Sequence, residues 1–309
     1  SEIAKGAIIL ATAQILSAMQ TAKGADSKAI KYILIVLAFI VIPIMVENLS
    51  TAVLIVVTVI LMMFIGRVPM RQLGKLLGVL AIMGVLAVSS ILIVGKRDNT
   101  VKNSDKQNPT EEVKKEKKEN SIEKILHRAD TWKGRIYDFF DNEYIPPEKF
   151  DLDENAQVGH ANIAIASSKG IGKGPGNSTE RDFLTHAVSD FIYAIIVEEM
   201  GLIGAIVVAA LYIMLLFRAG RIASRCENAF PAFLIMGLAI MLVMQALMNM
   251  LVAVGLAPVT GQPLPLVSKG GSSSVINCIF IGVMLSISRS AKKNDAIPSA
   301  NHGYMQIME

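Results

Sequence analysis

Apolar residues fall in seven long blocks separated by short polar or glycine-rich segments, with one long polar interruption between the fourth and fifth. The blocks cover Gly6–Gln20, Tyr32–Val46, Thr51–Gly66, Leu76–Val94, Phe191–Phe217, Pro231–Val254 and Val275–Ile287. Such runs predict membrane-crossing helices. Several fall short of the roughly 20 residues that hydrocarbon requires and need tilt or burial to span it. A mean hydropathy of +0.49 with 52% hydrophobic residues excludes an ordinary soluble domain. The fold expected is all-α: a polytopic integral membrane helical bundle of about seven spans with a long extracytoplasmic loop. Four membrane helices are expected over 1–95 and a large outer loop over 96–189. Three membrane helices follow over 190–289, with an outer loop at 255–274, and 290–309 forms a cytoplasmic tail.

Basic residues orient these spans. Lys23, Lys28 and Lys31, then Arg67, Arg71 and Lys75, then Arg218, Arg221 and Arg225 mark one set of short connections. The tail with Arg289, Lys292 and Lys293 belongs with them, and this side is predicted to be cytoplasmic. The opposite connections carry almost no basic residue: the turn at Glu47–Ser50 has none and the Pro-rich loop has only Lys269. Residues 96–185 share that outer side, since loops of this length cross regardless of charge. They hold 16 of the 30 basic and 17 of the 26 acidic residues, so the net charge of +4 says little, and nothing points to nucleic acid.

Within the outer loop, 96–124 is a run of Lys, Glu, Asp and Asn with too little apolar content to order itself, and disorder is expected there. From Ile125 the character changes. Trp132, Ile136, Tyr137, Phe139 and Phe140, with Arg128 and Arg135 among them, predict a short amphipathic helix against the membrane or the bundle. Gly170–Ser178 reads GIGKGPGNS. A glycine-dense loop can cradle phosphate through its N–H groups, although the G-K-S/T ending of a Walker motif is absent.

Three further features bear on chemistry. Gly255–Ser274 reads GLAPVTGQPLPLVSKGGSSS, and its three prolines forbid a continuous helix. Non-helical backbone at membrane depth needs protein cover or a wet cavity, so a shaped polar structure at the outer face is expected. Asp190 opens an apolar span on that face, with Glu198 and Glu199 about 12 Å further along a straight helix. A carboxylate there is either functional or the N-cap of its helix, and both readings stand on residues alone. Gln245 and Asn249 lie four apart on one helix face, the spacing of interhelical hydrogen bonds. His127, His160, His186 and His302 show no ligand spacing, so no zinc site is expected.

The Pro-rich stretch also resembles the closing signature of the FtsW/RodA/SpoVE family of cell-wall polymerases. Gly255, Pro258, Gly261, Leu264, Pro265, Ser268, Gly270, Gly271, Ser272 and Ser273 fall on that pattern, while Lys269 stands where the family usually has Tyr. The glycine loop resembles the family's G-K-G-L-G-N-S. Ser189–Gly201, SDFIYAIIVEEMG, is similar to its T-D-F-I-F-A-x-x-x-E-E-x-G, and Gln245 and Asn249 match a family pair. Val188 stands where the family often has His. Ser1–Lys5, SEIAK, resembles the S-E-L-A-K that opens the family's fourth helix. By that resemblance three helices of a ten-helix fold are missing here.

The resemblance implies a peptidoglycan glycosyltransferase that joins lipid II, the undecaprenyl-pyrophosphate-linked disaccharide, at the outer face of the bacterial inner membrane. It implies Asp190 as the catalytic residue. Arg135, Lys173, Gly174, Gly176, Asn177, Ser268, Lys269, Gly270, Gly271 and Ser272 are the candidates for substrate binding. Lys5, Glu198, Glu199, Gln245 and Asn249 match family positions as structural or channel residues. No cofactor is certain, with a divalent cation (Mg or Mn) as the one candidate. A class B penicillin-binding protein and other divisome membrane proteins are the implied partners. Glu47–Thr51, ENLST, and the V-T-G-Q-P-L-P run look more like the division branch than the elongation branch, which places the chain at the septum. A lipid II flippase, an elongation-type polymerase and a scaffold for a transpeptidase are the alternatives.

Overall fold

The computed structural model describes residues 2–22, 24–94, 156–184 and 188–295. Its helices are α1 (Glu2–Ala18), α2 (Ala29–Glu47), α3 (Leu49–Ile65), α4 (Met70–Val94), α5 (Ala156–Ser167), α6 (Ile192–Ala223), α7 (Ala229–Ala253) and α8 (Gly271–Asp295). A helix thus stands at each of the seven apolar blocks. Among the described residues, α6, α7 and the Gly271–Ala291 part of α8 are long and apolar enough to cross a membrane unaided. Ala29–Met45 and Leu49–Ile65 are shorter apolar helices. The short α5 was not expected. Its sequence, AQVGHANIAIAS, is too weakly apolar to read as a span, yet Ala161 and Ala164 are buried against α6.

α7 is the central helix. It packs on α1, α3, α6 and α8, and its buried face includes Ile235, Leu238, Ala239, Met241 and Leu242. Ile8, Ile9, Leu16, Ile55, Val59, Met62 and Met63 of α1 and α3 complete the main core. Gly237 is required here: a Cβ on it would stand 2.7 Å from Ile9 and from the Met62 sulfur, so α7 meets α1 and α3 at backbone distance. A second core joins α5 and α6 to Val252, Ala253 and Leu264.

The connections alternate between the two ends of the bundle. A two-residue hairpin pairs Gln20 with Ala25 and Thr21 with Gly24. Ala25 N donates to Gly66 O at 3.2 Å, tying the α1–α2 connection to the α3–α4 connection, both of which carry basic residues. At the opposite end Asn48 caps α3 by accepting from Thr51 N at 3.1 Å. The outer segments 188–191 and 260–269 gather at that end.

The largest departure from expectation is in α6. Gly201 has φ 66° and ψ −161°, a conformation open to glycine alone, and the helix breaks there. Tyr193 OH donates to Ala205 O at 3.3 Å. A straight helix would separate these residues by about 18 Å, at about 1.5 Å per residue. The first leg, Ile192 to Met200, therefore folds back beside the second. The second leg ends at Arg218 and Arg221, so Glu198 and Gly201 lie at the opposite tip of α6 and Asp190 lies back from that tip. The sequence expectation had this depth order reversed, because it assumed an unbroken helix.

Candidate active site

The break in α6 and the glycine loop form one structure. A helix interrupted at Gly201 strands the carbonyls before it. Lys173 N donates to Glu198 O at 2.9 Å and Gly174 N to Glu199 O at 2.8 Å, while Leu202 N donates to Gly170 O at 2.9 Å. The loop thus supplies the partners that the helix lost, as buried backbone requires. The approach is close enough to demand glycine on both sides. A Cβ on Gly172 would stand 2.5 Å from Glu199 O, and one on Gly201 would stand 2.5 Å from Gly170 O.

Glu198 fixes the loop further. Its buried carboxylate accepts from Lys173 Nζ at 2.6 Å, from Ser178 Oγ at 2.5 Å, and from Thr179 N and Oγ1 at 3.1 and 2.9 Å. Lys173 also donates to Thr179 Oγ1 at 2.7 Å. Asn177 Nδ2 donates to Lys173 O at 3.0 Å. The expectation that Lys173, Gly174 and Asn177 cradle a phosphate is therefore corrected. Their donors are already committed to the α6 break and to the loop itself. Gly176 sits exposed at the loop's tip with φ 83°. Glu199 contributes its carbonyl to the same repair.

Asp190 sits where three outer segments meet. Ser268 Oγ donates to Ser189 O at 2.5 Å and accepts from Leu264 N at 2.7 Å. Lys269 N donates to Val188 O at 2.9 Å. Asn249 Nδ2 donates to Asp190 O at 2.7 Å and to Gln262 O at 2.8 Å. Tyr212 OH of the second leg donates to Pro265 O, so the Pro-rich loop dips beside α6 rather than standing above it. Gly261 lets that loop pass the carboxylate: a Cβ on it would stand 3.7 Å from Asp190 Oδ2, with φ already at 64°.

The carboxylate itself is half-buried and accepts from Ser189 Oγ at 2.7 Å. The N-cap reading is overturned. α6 starts at Ile192 behind Phe191, with no side-chain cap. Gly271 and Ser272 also move: they form the first turn of α8 and not part of the loop, and both are exposed, as is Lys269. Arg135 lies outside the described residues, as do the expected disordered run 96–124 and amphipathic helix.

Beneath the site a polar network joins three helices to the Pro-rich loop. Lys5 Nζ, fully buried, donates to Glu2 Oε1 at 2.7 Å, Gln245 Oε1 at 3.2 Å and Gln262 Oε1 at 3.3 Å. Gln262 Nε2 donates to Thr51 Oγ1 at 2.8 Å and Gln245 Nε2 to Pro263 O at 3.0 Å. The interhelical role expected for Gln245 and Asn249 holds only for the Lys5 contact; their other partners are loop carbonyls. Gln262 and Thr51 were not singled out from sequence, and a glutamine between Gly261 and Pro263 offered no signal beyond its place in the motif. Among the described residues no three of His, Cys, Asp and Glu converge as a metal site. His160 instead pairs with Glu180 at 2.6 Å and stacks on Phe183.

The family model described as "Cell cycle protein", FtsW/RodA/SpoVE, matches residues 1–113 and 121–293. The probable peptidoglycan glycosyltransferase FtsW of Nitrosococcus halophilus is 37% identical over 148 residues, 47% of this chain and 38% of that protein. Its namesake from Marinobacter nauticus is 39% identical over 164 residues, 52% of this chain and 41% of that protein. The matched stretches thus span about two-fifths of those relatives. A solved structure described as "Structural coordination of polymerization and crosslinking by a peptidoglycan synthase complex" superposes with a TM-score of 0.63 at 22% identity. That match covers 94% of this chain and 69% of the other, and it shows the same helical membrane fold. With the family model matched over nearly its whole length, the chain belongs to the FtsW/RodA/SpoVE family.

Proposed function

We propose that this chain carries the catalytic part of a peptidoglycan glycosyltransferase that polymerises lipid II at the outer face of the inner membrane during division. One observation carries the reading. Asp190 is held by backbone at the meeting of three outer segments, yet its carboxylate caps no helix and keeps only its neighbour Ser189 as donor among the described residues. A half-buried carboxylate at such a junction suits a general base.

In the proposed reaction the 4-hydroxyl of the acceptor sugar attacks the anomeric carbon of the growing chain. Asp190 takes the hydroxyl proton as the new C–O bond forms, and the lipid pyrophosphate leaves with the electron pair of the broken bond. The leaving group needs positive charge or N–H donors. Lys269 and the first turn of α8 at Gly271–Ser272 supply both beside Val188, with Gly270 and Ser268 shaping the approach. Arg135 remains a candidate for the same task. Magnesium is usually held by one or two carboxylates together with substrate phosphates. A cation used here would rest on Asp190 and the pyrophosphate, and the base chemistry above does not depend on it.

The relatives named FtsW favour the division branch, and with it a septal location. The fold neighbour's description as a synthase complex supports a class B penicillin-binding partner, with other divisome membrane proteins beyond it. A transporter of the same lipid would use buried polar groups that can change partners. Lys5, Gln245 and Gln262 instead anchor the Pro-rich loop, which suits a fixed scaffold.

The test uses the full-length protein with its penicillin-binding partner and labelled lipid II, with and without Asp190→Ala. Glycan ladders that vanish in a folded variant support a polymerase using Asp190. Surviving ladders remove Asp190 as the base. No ladder from either form, with the partner bound, favours transport or scaffolding.

A further inference from the structure

The end of α6 opposite the site carries Arg218, Arg221 and Arg225. Arg218 and Arg221, three residues apart, form a stripe on α6, Arg225 follows just past the helix end at Ala223, and all three are exposed. Arg221 also lies over the Phe217 ring at 4.9 Å. Basic residues at a cytoplasmic helix end set topology wherever on the helix they stand. Here the stripe coincides with something topology does not require. α6 and α8 leave between them a groove of about 510 Å³, lined by these arginines and by Leu211, Met214, Met284, Leu285 and Ser288.

The groove has two chemistries in a fixed order. The second leg of α6 and α8 both run from the outer face toward the cytoplasm, so Leu211 and Ile281 wall its deeper part, and the arginines and Ser288 stand at its cytoplasmic mouth. We propose that this groove binds an anionic phospholipid of the cytoplasmic leaflet. The phosphate sits among Arg218, Arg221 and Arg225 with the Ser288 hydroxyl, and an acyl chain lies along Met214, Met284 and Leu285. Basic pockets between membrane helices on this side bind anionic headgroups, and arginine's planar fork suits phosphate. A free phosphate would use the mouth and leave the apolar walls empty. A zwitterionic lipid would use the walls and leave Arg218 and Arg221 without a matching net charge.

The experiment reconstitutes the full-length protein in nanodiscs of phosphatidylcholine with an equal share of phosphatidylglycerol. Retained lipid is then counted by native mass spectrometry after mild delipidation. The unmodified protein keeps phosphatidylglycerol in preference to phosphatidylcholine, and added inorganic phosphate does not displace it. Arg218→Gln lowers the preference about fivefold and the Arg218→Gln/Arg221→Gln pair lowers it further, from the usual strength of a basic side chain at an anionic leaflet. Leu285→Trp leaves the arginines intact, fills the groove and reduces retention of both lipids. Equal retention of the two lipids by the unmodified protein overturns the proposal. So does a preference unchanged in both the arginine and the Leu285→Trp variants, or no retained lipid at all, as expected if another helix fills the groove.

Discussion

Lys173 Nζ stands 2.6 Å from Glu198 Oε1 across the gap between the glycine loop and the first leg of α6. The pair is lopsided: the lysine is 27% exposed and the glutamate is fully buried. Glu198 is therefore the receiving end, a charge held out of water by the loop that folds over it. Ser178 and Thr179 add the next closest donors, with Ser167 Oγ and Glu180 N at 3.4 Å beyond them, so the N-S-T run after the last glycine has a physical task.

Glu198→Ala should detach the loop. It removes the acceptor for Lys173, Ser178 and Thr179 together and leaves those donors half-covered. Breaking a buried, hydrogen-bonded pair costs about 3 to 5 kcal/mol. The expected outcome is a clear fall in apparent Tm in detergent and new protease cleavage between residues 168 and 180. Lys173→Met should cost less, because Ser178 and Thr179 still serve the carboxylate. Equal losses in the two variants would show that the lysine alone holds the loop.

Gly172 and Gly201 should be intolerant of alanine for the same geometric reason, from opposite sides. Each Cβ would approach backbone atoms at 2.5 Å or less, and each residue has φ above 60°. Strain of the Gly201 kind alone costs about 1 to 3 kcal/mol, before any clash. Either substitution should reduce folded yield sharply, read as monodisperse protein after size exclusion. Gly176→Ala, at a site with open space around its Cβ position, should be far milder despite its positive φ.

These two predictions rest on contacts that the sequence only half disclosed. The apolar blocks were legible because membrane helices announce themselves by length and hydropathy. The importance of G-x-G-x-G-N-S and of E-E-x-G was legible as two separate motifs. Their union was not, since nothing in local periodicity shows that a helix will stop at Gly201 and borrow donors from 25 residues upstream. A glycine after two glutamates within an apolar run was the available hint. The depth of Asp190 was lost with it, because counting 1.5 Å per residue presumes the helix continues. The polar face of α7 was visible as Gln245 and Asn249, but their loop partners depend on how deeply Gln262 and Pro263 dip.

Lys5 and Glu2 give a test of that lower network. Lys5→Met leaves Glu2 without its cation and two glutamine oxygens without their donor. A loss of about 3 to 5 kcal/mol is expected for the single variant. Adding Glu2→Met removes the stranded charge, and replacement of a whole buried pair by apolar groups is often close to neutral. The double variant should therefore recover part of the apparent Tm lost by the single one. If the double variant is as unstable as the sum of both singles, the two residues are not coupled and the 2.7 Å contact does not describe their energetics.

Asp190→Asn should separate chemistry from stability. The side chain caps no helix and accepts one hydrogen bond from Ser189 Oγ, which an amide oxygen can also accept. The contact that anchors the segment, from Asn249 Nδ2, goes to the backbone oxygen of residue 190 and survives the change. Apparent Tm should therefore shift by no more than surface substitutions usually cause, about 0.5 kcal/mol. Lipid II polymerisation should fall by about a hundredfold or more, the usual contribution of a general base. Ser189→Ala, which removes the neighbouring hydroxyl and spares the carboxylate, should keep most of the activity. A fall in Tm that matches the loss of activity would mean that Asp190 holds the three outer segments together through its side chain. An active Asp190→Asn protein would mean that the base is another group.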